Sequence, residues 1–204
     1  MSKKHDHIKQ WFFSEEDDYI LLRKHMKKLA DKIIKHISSN NEKKKLKQLK
    51  VLEIGPSSNL YEEKYNIYST SFIGSKVVEL GHSYKTCDCA GSPDFLGKIE
   101  NLCEITGGEK FDIIIALGVL EHVKELHLVP LQLQKSLNAD GVVYVNTPFL
   151  FKVHGPDPDC WRISEYGYKH LFGDNFDLKF DTFPSNQFGK NSFPLSYNVE
   201  MRLK

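Results

Sequence analysis

Two stretches of this sequence, Ile113-Ile114-Ile115 and Val142-Val143-Tyr144-Val145, are apolar at consecutive positions rather than at every second one. Successive side chains of a strand point to opposite faces, so an uninterrupted apolar run must be covered on both. A mostly parallel sheet with helices on each side meets that demand, whereas a half-exposed antiparallel sheet does not. The order of elements agrees. Strand-like runs at Val51–Ile54, Tyr84–Asp88, Phe111–Leu117, Val142–Asn146, Phe176–Phe183 and Ser196–Leu203 alternate with segments of crossover length. The last two alternate in polarity: Leu178, Phe180 and Thr182 fall on one side, Asp177, Lys179 and Asp181 on the other. They are expected at an edge, where antiparallel pairing is open to them.

Residues 1–48 differ in pattern from the remainder of the chain and read as an N-terminal helical extension to an α/β domain over 49–204. Ser14 is a fitting N-cap with Glu15, Glu16 and Asp17 in the first turn. Leu22, Met26, Leu29, Ile33 and Ile37 then recur at three- and four-residue steps as one packing stripe, and the helix should end near Ser38–Asn41. The 204 residues carry 28 basic and 27 acidic side chains, a net charge of +1 that argues against nucleic acid as a partner. Lys43, Lys44, Lys45, Lys47 and Lys50 cluster locally and read as a solvated helix end. No apolar core follows the charges of MSKKHDHIKQ, and the longest apolar run, Ile113–Leu120, falls short of the ~20 residues of a membrane span. Four cysteines make no disulfide framework in a chain this long. The expectation is a cytoplasmic protein with reduced thiols and no membrane partner; oligomeric state is not legible.

Chemistry-bearing residues gather where the strand-like runs end. Val51-Leu52-Glu53-Ile54-Gly55-Pro56-Ser57-Ser58-Asn59 puts a carboxylate and a glycine at the carboxyl end of the first strand, where open α/β sheets bind ligands. Asp88 stands likewise after the second run, followed by Asp94-Phe95-Leu96-Gly97-Lys98-Ile99. Phe111-Asp112 leads through the central apolar strand to Leu117-Gly118 and then Leu120-Glu121-His122-Val123. Capping roles for Glu53 and Asp88 remain open. The three-glycine dinucleotide fingerprint is absent, since Gly55 is the only glycine before Leu60.

In these motifs the chain resembles the class I S-adenosylmethionine-dependent methyltransferases, in a small methyltransferase type 11-like subgroup. The resemblance implies a doubly wound, Rossmann-like sheet of seven mostly parallel strands and S-adenosylmethionine as cofactor. It assigns Glu53, Gly55, Pro56 and Ser57 to the methionine portion, Asp88 to the ribose hydroxyls with Glu79 as fallback, and Ile99 to the adenine. Leu117 and Gly118 would border the transferable methyl group, and Glu121-His122 would open the next helix. Lys98 stands where the family commonly has an acid. Asn146-Thr147-Pro148-Phe149 looks like an amine-holding tetrapeptide but follows the fifth strand instead of the fourth, which argues against nucleobase amine methylation. Cys87-Asp88-Cys89 has no second pair at zinc-site spacing, so no metal is expected.

Phe149 to Ser164 form an irregular segment dense in reactive side chains, and its H-G-x-P-x-D-x-W-R string resembles the same subgroup. His154 is a candidate general base, with Asp157 or Asp159 to orient it, and His122 is a second catalytic candidate. Asp159 and Arg162 could bind an anionic substrate, or could pair with each other and pin the loop while Trp161 plugs the core. The resulting expectation is methyl transfer to a small-molecule or carbohydrate acceptor, at oxygen. An RNA or protein methyltransferase using the lysine cluster, and a non-catalytic binding module, are the alternatives. The chain ends just after the last strand-like run, so the acceptor pocket is expected from the N-terminal helix and the inter-strand loops.

Overall fold

A computed structural model of the protein describes residues 15–42, 47–56, 71–183 and 194–204. In chain order the elements are α1 (Glu15–Glu42), β1 (Lys50–Ile54), α2 (Ser71–Glu79), β2 (Ser83–Asp88), β3 (Phe95–Leu96), α3 (Leu102–Ile105) and β4 (Phe111–Leu117). They continue with α4 (Val129–Ser136), β5 (Leu137–Pro148), α5 (Glu165–Phe172), β6 (Phe176–Phe183) and β7 (Ser196–Leu203). The seven strands form one sheet in the order β3-β2-β1-β4-β5-β7-β6. β1 to β5 pair in parallel, and β7 lies antiparallel to both β5 and β6. The order reverses between β1 and β4, the switch point at which doubly wound sheets open a crevice.

The uninterrupted apolar strands are covered on both faces. On one, Val51, Ile113, Ile115, Leu117, Val142 and Tyr144 meet Leu22, Leu29, Ile33 and Ile37 of α1 and Ile73 and Val77 of α2. On the other, Leu52, Ile54, Ile114, Val143 and Val145 meet Leu102, Val129, Leu133, Tyr168 and Phe172 from the remaining helices. Ile33 and Ile37 are fully buried, which stabilises the α1 layer by ~1.5–3 kcal/mol for each side chain. Polar contacts fix the slide of α1 across the sheet. His25 Nδ1 lies 2.6 Å from Ser196 Oγ, Lys32 Nζ 2.6 Å from Glu200, and His36 Nδ1 2.9 Å from the Tyr144 hydroxyl. Among the described residues no helix is long and apolar enough to cross a membrane.

Three local features differ from the sequence expectation. β3 spans only two residues, too few to show any periodicity. β5 begins at Leu137 rather than after a turn at Asp140-Gly141, because the register slips between Phe111↔Leu137 and Ile113↔Val142 and takes up Asn138–Gly141 as a bulge. Asp112, opposite that bulge, accepts from Asn138 Nδ2 at 2.8 Å, Lys50 N at 2.8 Å and Lys47 Nζ at 2.7 Å. No α-helix opens at Glu121; Leu120–His122 is a single 3₁₀ turn. The Glu121 carbonyl accepts instead from the Cys160 and Trp161 amides, at 2.7 and 3.1 Å, so it cannot continue a helix. Ser14 and Lys43, Lys44 and Lys45 lie outside the described residues.

Candidate active site

The rim at the switch point is built by the ends of β1, β2 and β4. Gly55, directly after β1, has φ +64°, and Gly118, directly after β4, has φ +71°. Both are left-handed, a conformation that costs any other residue roughly 1–2 kcal/mol. A Cβ on Gly55 would stand 2.7 Å from Val119 Cγ2, so β1 and the β4 exit approach as closely as they do only through a glycine. The Gly55 amide donates to Cys87 O at 2.8 Å, extending the β1–β2 pairing past the strand end. A Cβ on Gly118 would stand 3.6 Å from Glu121 Oε1 and 3.9 Å from Met26 Cε, so α1 borders the crevice at this point.

Glu53 is buried and accepts from the Tyr84 hydroxyl at 2.5 Å. Asp88 closes β2 half-buried, with Oδ1 accepting from the Ala90 amide at 3.2 Å, so part of its capacity caps the turn. Glu79, the fallback, is on the exposed side of α2 in an ion pair with Lys76. Ile99 and Leu117 are buried in the core, Lys98 is exposed, and Pro56 follows Gly55 at the rim. Ser57 lies outside the described residues. Cys87 is buried and Cys89 exposed. Asn146 turns toward β7, where its amide nitrogen donates to Asn198 Oδ1 at 2.7 Å.

Beside Gly118 three side chains converge. Glu121 Oε1 lies 3.8 Å from His154 Nε2 and 4.0 Å from His122 Nε2. The imidazole rings meet edge to face with centroids 5.0 Å apart, and Phe151 closes on His154 at 5.2 Å. His122 Nδ1 lies 3.0 Å from the Pro158 carbonyl, which can only accept, so a proton is on Nδ1 and, in the neutral ring, the lone pair is on Nε2. Glu121 is 1% exposed, and its Oε2 has no hydrogen-bond partner among the described residues. Burial, reinforced by the charge of Asp159, pushes its carboxyl up to about 8, against the opposing pull of Arg162. Burial also lowers His154 below the ordinary imidazole range, which keeps it neutral at neutral pH.

The loop that delivers His154 is pinned from within. Asp159 accepts from the His154 amide at 2.9 Å and from Arg162 NH1 and NH2 at 2.5 and 2.7 Å. His154 Nδ1 stands 3.0 Å from Asp159 Oδ2, at ion-pair distance but off the hydrogen-bond direction. The Arg162 guanidinium holds Asp159 well below the usual carboxylate range. Arg162 also donates to the carbonyls of Phe151, Lys152 and Trp161, at 3.2, 2.8 and 2.8 Å. A guanidinium has five N–H groups, so these bonds leave none for a substrate. Of the two roles open to Asp159 and Arg162, the geometry is that of the loop pin. Asp157 is exposed between Pro156 and Pro158, and the carboxylate that meets His154 is that of Asp159. Trp161 does not plug the core: it is 42% exposed and donates from Nε1 to Val123 O at 2.7 Å.

Glu121 is the residue that the sequence reading missed as a site group. Nothing in its local pattern announces burial, which comes from a loop more than thirty positions on folding back over it. Its place directly before His122 was the available signal.

No family model matches the sequence. A tRNA U34 carboxymethyltransferase of Campylobacter lari is 26% identical over 131 residues, which are 64% of this chain and 40% of that protein. Among solved structures, a TehB-like S-adenosylmethionine-dependent methyltransferase from Corynebacterium glutamicum aligns with a TM-score of 0.53 and 14% identity, covering 78% of this chain and 82% of that one. A magnesium protoporphyrin IX methyltransferase from Synechocystis with bound S-adenosylmethionine aligns at 0.51 and 15%, covering 85% and 77%. The DszA carbon methyltransferase aligns at 0.57 and 11%, covering 84% of this chain and 53% of that one. At such identities the likeness establishes the fold.

Proposed function

Because the chain carries the class I S-adenosylmethionine-dependent methyltransferase fold, we propose that it transfers a methyl group from that cofactor to a hydroxyl of a small-molecule or sugar acceptor. The observation that carries this reading is the meeting of Glu121, His122 and His154 beside left-handed Gly118, at the carboxyl end of the strand next to the switch point. The rim suits the cofactor. The missing side chain at Gly118 keeps the end of β4 open, and a ligand without phosphates needs no glycine-rich phosphate cradle. Asp88 would hold the ribose hydroxyls, Glu53, Gly55, Pro56 and Ser57 the amino-acid end, and Ile99 the adenine. Leu117 and Gly118 would border the methyl group. When bound, S-adenosylmethionine supplies a methyl already activated by its sulfonium, so the protein's task is alignment and proton removal.

Neutral His154 presents the Nε2 lone pair toward the Glu121 side of the crevice and can take the acceptor's proton there. Asp159, close to Nδ1, stabilises the imidazolium that results, and Arg162 keeps that carboxylate ionised. Phe151 shields the ring edge from water.

The similarity to an enzyme named for tRNA favours RNA as a second acceptor class. Against it, the described members of the lysine cluster are already engaged: Lys47 pairs with Asp112 and Lys50 with Glu109. Incubation with methyl-labelled S-adenosylmethionine and separate small-molecule, RNA and protein fractions tests the acceptor. The expected label is in the small-molecule fraction, and His154→Ala slows it by about 10²–10⁴-fold while the cofactor still binds. Label in RNA or protein alone overturns the acceptor class. A folded protein that binds cofactor and labels nothing is a binding module.

A further inference from the structure

We propose that Glu121, His122 and His154 form a binding site for one divalent transition-metal cation of the zinc class, with an open coordination position toward the end of β4. The three candidate ligand atoms all lie within 4.8 Å of one another, with Glu121 Oε1 3.8 Å from one imidazole nitrogen and 4.0 Å from the other. Ligand atoms at zinc bond lengths of about 2.0–2.2 Å in a tetrahedral shell are roughly 3.3–3.5 Å apart. Small side-chain rotations therefore close the triangle without backbone movement.

A hydrogen bond behind one imidazole and a carboxylate charge behind the other favour the tautomers a metal needs. The Pro158 carbonyl fixes the proton of His122 on Nδ1, and the negative charge of Asp159, 3.0 Å from His154 Nδ1 though not hydrogen-bonded to it, favours the proton there too, which turns both Nε2 lone pairs toward Glu121. A carboxylate or carbonyl behind each ligating imidazole is the usual outer shell of protein-bound metals. Two lone pairs and a carboxyl group thus meet in one place. A proton on Glu121 can satisfy only one of the imidazoles, whereas a cation satisfies all three groups.

A second observation is independent of the triangle. The Glu121 side chain is 1% exposed, and its Oε2, buried beside the cluster, has no hydrogen-bond partner among the described residues. Two imidazoles with one carboxylate suit zinc and neighbouring transition metals better than magnesium or calcium, which prefer all-oxygen shells. Three protein ligands leave a position free, as in catalytic rather than structural zinc sites. A bound cation takes up the His154 Nε2 lone pair, so the base role proposed above belongs to the metal-free site; that the open position receives the acceptor's oxygen rests on the proposed methyl transfer, and cation binding itself does not.

The test is titration of chelator-treated, full-length protein with Zn²⁺ by calorimetry and with Co²⁺ by visible absorption. A Cys89→Ser/Cys160→Ser background removes the exposed thiols as competing ligands. One equivalent should bind, with the strong visible bands of four- or five-coordinate Co²⁺. His122→Ala and Glu121→Gln should each weaken binding at least about tenfold while far-UV circular dichroism stays unchanged. Absence of saturable binding, a Co²⁺ spectrum of the hydrated ion, or binding unaffected in both variants overturns the site. If a variant fails to fold, the Co²⁺ spectrum of the parent protein decides alone. S-adenosylmethionine binding measured on the same samples separates the two claims: cofactor without metal sinks this inference only, and metal without cofactor sinks the proposed function only.

Discussion

Breaking the Asp159–Arg162 fork should cost stability in a strongly non-additive way. The Asp159 side chain is fully buried and that of Arg162 is 24% exposed, with fork distances of 2.5 and 2.7 Å. Replacing Arg162 by Met leaves the carboxylate with the His154 amide and the nearby imidazole, and no guanidinium. Stranding a buried charge in this way costs about 3–5 kcal/mol. The double variant Asp159→Asn/Arg162→Met removes both charges, so it should cost less than the two single variants added together, by about 2–3 kcal/mol. The loop has other anchors, from Cys160 N, Trp161 N, Trp161 Nε1 and His122 Nδ1. Worth about 1 kcal/mol each, they hold it only up to ~4 kcal/mol before it opens locally. Urea unfolding measures the global part, and hydrogen exchange over residues 152–162 the local part. Because Arg162 holds Asp159 below its unfolded value, the contribution is present above the unfolded pKa and is lost only as pH falls through the folded one. The coupling should therefore be the same at pH 7 and pH 5. Single variants that cost under about 0.5 kcal/mol and add linearly would refute the pin and return Arg162 to the list of substrate anchors.

Other parts of the fold give equally definite outcomes. His25 is fully buried under β7, and burial, opposed by Asp181, lowers it to about 4. It stays neutral in the folded state while the unfolded chain protonates below about 6.5, so stability is complete above that pH. As pH falls from 6.5 to 4, about 3 kcal/mol is lost; urea unfolding of His25→Gln against the parent should show a shallower slope, and equal slopes would contradict the assignment. Gly55→Ala combines left-handed strain with a 2.7 Å contact to Val119 and should cost about 2–4 kcal/mol in thermal unfolding. Gly118→Ala meets nothing nearer than 3.6 Å and should cost less stability but more cofactor affinity; the reverse ranking would move the crevice elsewhere.

The double layer was legible because the adjacent strands β4 and β5 are apolar on consecutive positions, a pattern with few other physical causes. α1 was legible for the same kind of reason: its stripe at Leu22, Leu29, Ile33 and Ile37 is the face that lands on the sheet. The bulge in β5 was hidden, since it depends on Asp112, Lys47 and Asn138 meeting from three elements. At the site, spacing suggested the Asp159–Arg162 pair, and only the loop's path over the β4 exit decided that it would satisfy itself rather than a ligand. Glu121 read as a helix opener because the competing hydrogen bonds from Cys160 and Trp161 to its carbonyl are tertiary.

Calorimetric titration with S-adenosylmethionine, and in parallel with S-adenosylhomocysteine, tests the central claim most directly. One site per chain should be found, and Asp88→Ala should weaken it by about ten- to a hundredfold through lost charged hydrogen bonds to the ribose. Asp177→Ala, on the edge strand, should leave it unchanged. A folded protein that takes up neither compound, or an Asp88→Ala variant that binds like the parent, would contradict a cofactor lying across the ends of β1, β2 and β4.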